Sequence, residues 1–179
     1  MSTRSTSIGT DRGELIAFLG ALSLFLAAIE YLFPKPLPFF RLGLANLPIL
    51  ISLSVLKPRE VLVLVAVKVV GQGLINGTLA SYVFLFSLSG SLASALIMLG
   101  AHRLFRKWIS LVGVSILGAT ASNAVQMTLS VMFIFGTNAW VIAPVFMSLG
   151  IASGIAVGLF ADHFSRRSQW FAEVREYYA

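Results

Sequence analysis

Long apolar runs, separated by short polar or proline-containing stretches, account for most of this chain. A helix that crosses a ~30 Å hydrocarbon core needs ~20 mostly apolar residues. Six runs are candidates for such helices: Leu15 to Phe33, Leu42 to Leu56, Val61 to Ile75, Leu79 to Ala101, Ile109 to Phe135 and Ala139 to Ala161. The pattern predicts an all-α integral membrane protein with six transmembrane helices.

The second and third runs are short for a crossing, because about 15 residues of helix extend only about 22 Å. A re-entrant hairpin that dips into the membrane and returns is the alternative. The connector Lys57-Pro58-Arg59-Glu60 would then lie at membrane depth and bury three charges, each costing at least about 2.5 kcal/mol. We therefore expect two full crossings here.

The distribution of basic residues predicts how the six helices are oriented. Ten of the thirteen Lys and Arg lie in the two terminal tails, in the connector between the second and third runs, and in that between the fourth and fifth. Lys35 and Arg41 lie on the other side, and Lys68 lies inside a run. The positive-inside rule then places both termini in the cytoplasm. We expect cytoplasmic tails at 1–13 and 163–179 and a transmembrane domain at 14–162.

Composition excludes a water-soluble globule. The 179 residues are 58% hydrophobic and 11% charged, against ~45–50% and ~25% in soluble domains. The net charge of +6 is better explained by membrane orientation than by a nucleic-acid surface. Without cysteine the chain has no disulfide, thiolate metal site or cysteine nucleophile.

Several kinds of catalysis lack the residues they need. No Gly-Lys pair is present for an ATPase phosphate loop, and the aspartates, Asp11 and Asp162, are too far apart in sequence for a paired-carboxylate magnesium site. His102 and His163 fall at the predicted cytoplasmic edge without the spacing of a metal pair. We expect no catalytic residue, no metal and no cofactor, and hence a protein that is not an enzyme.

Polar groups inside the runs are the candidates for function, since burial in hydrocarbon is expensive. Lys68 is followed at i+4 and i+8 by Gln72 and Asn76, which places an ammonium and two amides on one helical face. Two interpretations stay open for Lys68: a role in binding a ligand or ion, and a purely structural pairing with Glu30. Glu30 itself lies near the outer surface, where water could also solvate it.

The fifth run and the stretch after the first run carry further polar candidates. Asn123 and Gln126 form an i, i+3 amide pair, for which interhelical hydrogen bonding is an equally good explanation. With Arg41 and Asn46 they complete the predicted solute site, which opens outward and suits a small organic solute with an acidic or amide group. The full set is Arg41, Asn46, Lys68, Gln72, Asn76, Asn123 and Gln126, with Glu30 as a gate or counter-ion.

Small residues at intervals of four indicate close helix contacts. Gly150, Gly154 and Gly158 are expected to pack the sixth helix against a neighbour. Ala17 lies about 220° around the first helix from Glu30, and Ala21 lies one turn after Ala17. If Glu30 points into the bundle, this alanine face points outward and could dock another membrane subunit.

Three strings carry a family resemblance. They are Arg41-Leu42-Gly43-Leu44-Ala45-Asn46, Ser87-Leu88-Ser89-Gly90-Ser91-Leu92-Ala93-Ser94, and Ser115-Ile116-Leu117-Gly118-Ala119-Thr120 followed by Asn123 and Gln126. In this order and spacing they resemble the bacterial Gx transporters, a family also labelled heptaprenyl diphosphate synthase component I. The sequence departs from the family pattern at Ser122 and Val125, where His and Gly are usual.

The resemblance implies a multi-pass protein of the bacterial cytoplasmic membrane, similar to the substrate-binding S components of energy-coupling-factor transporters. Such proteins work with a transmembrane coupling subunit and ATPase subunits, and an Ala-xxx-Ala face like Ala17 and Ala21 contacts the coupling subunit. The other label implies a membrane partner of a polyprenyl diphosphate synthase in isoprenoid quinone synthesis. Because the paired Asp-rich motifs of the catalyst are absent here, this chain would then recruit or regulate.

Overall fold

The computed structural model describes residues 12–32, 43–105 and 108–178. Within these ranges every regular element is helical, and the seven α-helices are α1 (Arg12–Leu32), α2 (Leu47–Ser52), α3 (Pro58–Ile75), α4 (Tyr82–Leu104), α5 (Leu111–Ser130), α6 (Ala143–Arg167) and α7 (Gln169–Tyr178). A 3₁₀ turn, Leu44–Asn46, precedes α2. A π-helical turn, Val131–Phe135, and a 3₁₀ helix, Gly136–Val141, join α5 to α6.

Four helical segments are long and apolar enough to cross a membrane. They are Arg12–Glu30, Tyr82–Leu104, Leu111–Val141 and Ala143–Arg167, and they overlap the first, fourth, fifth and sixth predicted runs. The prediction of an all-α, multi-pass membrane protein is confirmed at this level. α3 is not among these four segments, because its 18 residues include three charged ones, Arg59, Glu60 and Lys68.

The second predicted run does not form one continuous helix. Only Leu47–Ser52 is α-helical, and all six residues are buried. Pro48 lacks an N–H group and so favours the first turn of a helix. At the other end, the hydroxyls of Ser52 and Ser54 donate to the carbonyls of Ile49 and Ile51 at 2.7 and 3.0 Å, in competition with a regular helical ladder.

The segment that contains α2 nevertheless passes from one end of α1 to the other. At its start, the Gly43 N–H donates to Glu30 Oε1 at 3.2 Å. At its end, Glu60 forms an ion pair with Arg12 at 3.0 Å. We call these two ends of the bundle the Glu30 end and the Arg12 end. α2 therefore fills the interior between them.

The C-terminal region folds onto the Arg12 end. Within the predicted tail, 163–179, α6 continues to Arg167 and α7 runs to Tyr178, with the extended Ser168 between them. Phe171 and Val174 of α7 are buried, and the Trp170 ring lies 5.3 Å from that of Phe18 on α1. The guanidinium of Arg12 lies 4.9 Å from the ring centre of Tyr178, so both ends of the described chain meet there.

Two glycines of α6 allow it to lie close to α5. A Cβ atom on Gly154 would lie 3.0 Å from Ile116 Cα, and one on Gly158 would lie 2.6 Å from Val112 Cα. These distances are to backbone atoms, which cannot move aside as a flexible side chain can. Gly150 has a different neighbour, since its Cβ would lie 1.9 Å from Nδ2 of Asn123.

Glu60 has two partners at the start of α3, and this leads to a stability prediction. Its carboxylate accepts from the Lys57 N–H at 2.7 Å and pairs with Arg12. We expect Glu60→Ala to lower the free energy of unfolding by about 1 kcal/mol, because it removes a capping interaction and a partly exposed ion pair. Thermal unfolding in detergent measures the effect. Arg59→Ala, an exposed neighbour, is the matched control, and equal loss in both variants would contradict the prediction.

Candidate functional site

A polar cavity lies inside the bundle, towards the Glu30 end. It is bordered by α1, the 3₁₀ turn, α3, α4, α5 and α6. Its polar side chains are those of Glu30, Asn46, Lys68, Gln72, Ser91, Ser122, Asn123, Gln126 and Ser153. Gly43, Ala45, Ala119 and Gly150 complete its wall.

Lys68 is the central cation of this polar cavity. Its side chain is only 2% exposed, and it lies in α3 among fully buried residues such as Val65 and Val69. The ammonium donates to Asn46 Oδ1 and, at 3.5 Å, to Ser91 Oγ. Burying an ammonium is costly without such acceptors, so the amide and the hydroxyl stabilise the charge in the bundle.

Asn46 reaches Lys68 because of the turn that precedes it. Gly43 has φ 80°, a left-handed conformation that glycine adopts without a steric penalty. Its carbonyl accepts from the Asn46 N–H at 2.9 Å, while its own N–H donates to Glu30. The carboxylate of α1 therefore anchors the turn that carries the partner of Lys68.

Glu30 is buried rather than solvated at the membrane surface. It is 3% exposed and borders the polar cavity. Ala17 and Ala21 of the same helix are exposed, as expected for residues on the opposite side of α1. The structure thus meets the condition on which the alanine docking face depends.

The two amides of α5 have different surroundings. Asn123 Nδ2 donates to the carbonyl of Phe146 on α6 at 3.0 Å, which is the interhelical bond that the structural explanation requires. Gln126 Nε2 donates to Ser122 Oγ at 3.0 Å, while its buried Oε1 has no hydrogen-bond partner among the described residues. Gln126, which borders the polar cavity, therefore has one buried acceptor without a partner among the described residues.

Most of the residues predicted for the solute site meet in this polar cavity. Glu30, Asn46, Lys68, Gln72, Asn123 and Gln126 all border it. Arg41 lies outside the described residues. Asn76 is exposed at the C-terminal end of α3, where its N–H still donates to the carbonyl of Gln72 at 3.0 Å. It keeps the helical direction of Lys68 and Gln72 but lies about 12 Å along the helix axis from Lys68, and it does not border the polar cavity.

Three serines of the polar cavity were not among the predicted site residues. In the sequence, Ser91 stands out only as part of a string that carries the family resemblance, and Ser122 only as a departure from the family pattern. Ser153 is adjacent to Gly154 in a stripe that indicates close packing. A serine hydroxyl serves packing and binding equally well, so no sequence signal separates these roles here.

The polar cavity has a volume of about 30 Å³. Since a water molecule occupies about 10–15 Å³ by this measure, there is room for about two waters. A larger solute would have to displace side chains or helices of the wall. In the described ranges, no three His, Asp or Glu side chains are grouped so as to hold a metal ion.

Comparison with known proteins identifies a family. The family model described as heptaprenyl diphosphate synthase component I matches residues 19–164. The chain belongs to this family. The match confirms one of the two family labels that the sequence motifs indicated, and its name refers to a component of a synthase without assigning catalysis to it. No curated protein and no solved structure matches the chain.

Proposed function

We propose that this protein is a membrane transport component that binds a small organic solute from the outward side and mediates its uptake with energising partner subunits. The observation that carries the proposal is the buried Lys68 in a cavity walled by amides, hydroxyls and a carboxylate. Ionisable groups inside membrane helices usually mark a ligand or ion pathway, because their burial is otherwise unfavourable.

The chemistry of the polar cavity suggests the solute class. Lys68 would bind a carboxylate or an amide carbonyl of the solute, and the free Oε1 of Gln126 would accept from an N–H or O–H group. Glu30 would serve as a gate or counter-ion, since it holds the turn at Gly43. Arg41 would supply a second cation, and Gln72 and Asn123 would make further amide contacts. Asn76 would contact the solute outside the polar cavity, on its way in.

The same proposal includes six crossings with both termini in the cytoplasm. The passage from Gly43 to Glu60, end to end along α1, supports a second crossing, although α2 is short. Arg12, Lys57 and Arg103 share the Arg12 end, which the positive-inside rule assigns to the cytoplasm. The polar cavity then lies in the outer part of the bundle of a bacterial cytoplasmic membrane protein.

Partner subunits would supply the energy, through a docking face on α1. Ala17 and Ala21 are exposed and lie beside the exposed rings of Phe18 and Phe25. Small residues let a second helix approach closely, and aromatic rings add contact area. We propose a transmembrane coupling subunit on this face and ATPase subunits beyond it.

Large side chains on this face should block transport but not binding. In the double variant Ala17→Leu/Ala21→Leu, we expect solute uptake by cells to fall at least about tenfold, the result of losing about 1.4 kcal/mol or more of docking energy. Solute binding by the purified protein should be unchanged. Ala124→Leu, at an exposed position of α5, is the control. Normal uptake by the double variant would contradict the proposed docking face.

The family name favours a second candidate function. Under this alternative, the protein is a non-catalytic membrane component associated with a heptaprenyl or polyprenyl diphosphate synthase in isoprenoid quinone synthesis. The polar cavity would then have no role in capturing a water-soluble metabolite, and prenyl diphosphates would be the relevant ligands.

A thermal-shift screen separates the two functions. The detergent-purified protein is screened against vitamins, nucleobases, quinone precursors and prenyl diphosphates; a ligand at 100 times its Kd stabilises the folded state by ~2.7 kcal/mol. A rise in the unfolding temperature with a small water-soluble metabolite, if it is lost in Lys68→Ala, supports solute capture. A shift with prenyl diphosphates alone supports the synthase partner. No shift at all contradicts the polar cavity as a binding site.

A further inference from the structure

A second and larger cavity opens at the Arg12 end of the bundle. Its volume is about 350 Å³, within the ~300–1,000 Å³ typical of ligand pockets. We call it the basic cavity, because its wall includes Arg12, Lys57, His102 and Arg103. Tyr178 of α7 and the turn at residues 53–56 also border it.

The basic side chains come from separate parts of the chain. Arg12 begins α1, Lys57 precedes α3, and Arg103 lies in the last turn of α4. Glu60 neutralises Arg12 through their ion pair, which leaves the charges of Lys57 and Arg103 at the basic cavity. Both of these side chains are exposed, so they can turn towards a ligand without breaking a buried contact.

The positions of these groups favour an anion. The backbone N–H of Lys57 at the start of α3 is already bonded to Glu60, so the positive charge offered to an anion is that of the Lys57 and Arg103 side chains. A guanidinium offers paired N–H donors that match phosphate oxygens, and an ammonium adds a point charge. The side chains of Leu53, Val55, Leu56 and Leu99 form an apolar part of the same wall.

We infer that the basic cavity binds a phosphate group, with Lys57 and Arg103 as its charged ligands and the leucine-rich wall beside any apolar substituent. The phosphate could belong to a phospholipid headgroup or to a soluble phosphate, and the chemistry of recognition is the same. The polar cavity lies towards the other end of the bundle, so this site does not depend on the proposed function.

The test compares two double variants of the full-length protein with the same loss of charge. Lys57→Gln/Arg103→Gln removes the two cations of the basic cavity. Arg59→Gln/Arg167→Gln removes two exposed arginines at the same end that do not border it. Isothermal titration with inorganic phosphate probes the soluble source. Retention of phosphatidylglycerol, measured by native mass spectrometry after delipidation and reloading, probes the lipid source.

We expect the basic-cavity variant to lose at least about tenfold in affinity for one of the probes and the control variant to lose less than about twofold. A selective loss for inorganic phosphate indicates a soluble ligand, and a selective loss for phosphatidylglycerol indicates a lipid. Equal losses in the two variants, or binding of neither probe by the parent protein, would overturn the inference. If the double variant does not fold, Arg103→Gln is compared with Arg59→Gln in the same assays.

Discussion

Lys68→Ala is expected to weaken solute binding by about ten- to a hundredfold. A hydrogen bond to a charged group contributes about 1.5–3 kcal/mol, and each 1.4 kcal/mol is a factor of ten in affinity. The ammonium lies between Asn46 and Ser91, so alanine removes the group around which this part of the wall is organised. Titration of the purified variant with the solute found in the screen measures the effect.

The same variant distinguishes the two roles that remain open for Lys68. If the lysine binds solute, the variant should express and fold, but the rise in unfolding temperature that the solute causes should be lost. If it only stabilises the bundle, the unliganded protein should unfold at a lower temperature, while a bound solute still raises it. This second outcome would refute a binding role.

Lys57→Ala is the matched control, because Lys57 lies at the Arg12 end of the bundle, away from the polar cavity. We expect its solute affinity to stay within about twofold of the parent, as for surface substitutions away from a site. If the rise in unfolding temperature caused by the solute is lost in Lys57→Ala and retained in Lys68→Ala, the solute binds in the basic cavity and the proposed site is contradicted.

The sequence predicts the outer helices well and the interior segment poorly. Long apolar runs in the sequence predict four of the helices, namely α1, α4, α5 and α6. The stretch around α2 is as apolar as a membrane helix, but it lies among the other helices, and hydrophobicity alone does not distinguish the two. The C-terminal helix α7 is short and has charged residues beside its aromatic ones. It has no long apolar run, and the sequence therefore predicts a tail in its place.

The polar cavity was predictable because charges and amides in membrane helices have few alternatives to facing inward. Lys68 and Gln72 are one turn apart in α3 and face the same cavity, as their spacing requires. Asn76 keeps the helical direction, since its N–H still bonds to the carbonyl of Gln72, but it is exposed at the end of α3, about 12 Å along the axis from Lys68. Serines gave no comparable signal, since burying a hydroxyl costs less than burying a charge.

The close contact of α5 and α6 connects stability to the polar cavity. Asn123 of α5 donates to Phe146 of α6, so the amide wall depends on the spacing between the two helices. Gly154 and Gly158 set that spacing further along α6. A change at the far end of the contact should therefore affect both unfolding and ligand binding.

Gly158→Ala is expected to lower the free energy of unfolding by about 1–3 kcal/mol, the usual cost of overpacking. The new Cβ would lie 2.6 Å from Val112 Cα and 3.1 Å from Ser115 Cβ. Because the first of these is a backbone atom, the clash is relieved only if α5 and α6 move apart. Thermal unfolding in detergent measures the loss, and solute affinity should fall with it as Asn123 shifts.

Gly100→Ala is expected to change the free energy of unfolding in the opposite direction and to raise it. Gly100 lies within α4. Apart from its two chain neighbours and the nearby backbone of α4 itself, no described heavy atom lies within 4 Å of the Cβ that alanine would add. Replacing a helical glycine by alanine then stabilises by about 0.5–1 kcal/mol. Opposite signs in the two variants would establish the α5–α6 contact as the cause. A stabilised Gly158→Ala would show instead that the helices separate at little cost, and the link between their spacing and the polar cavity would fail.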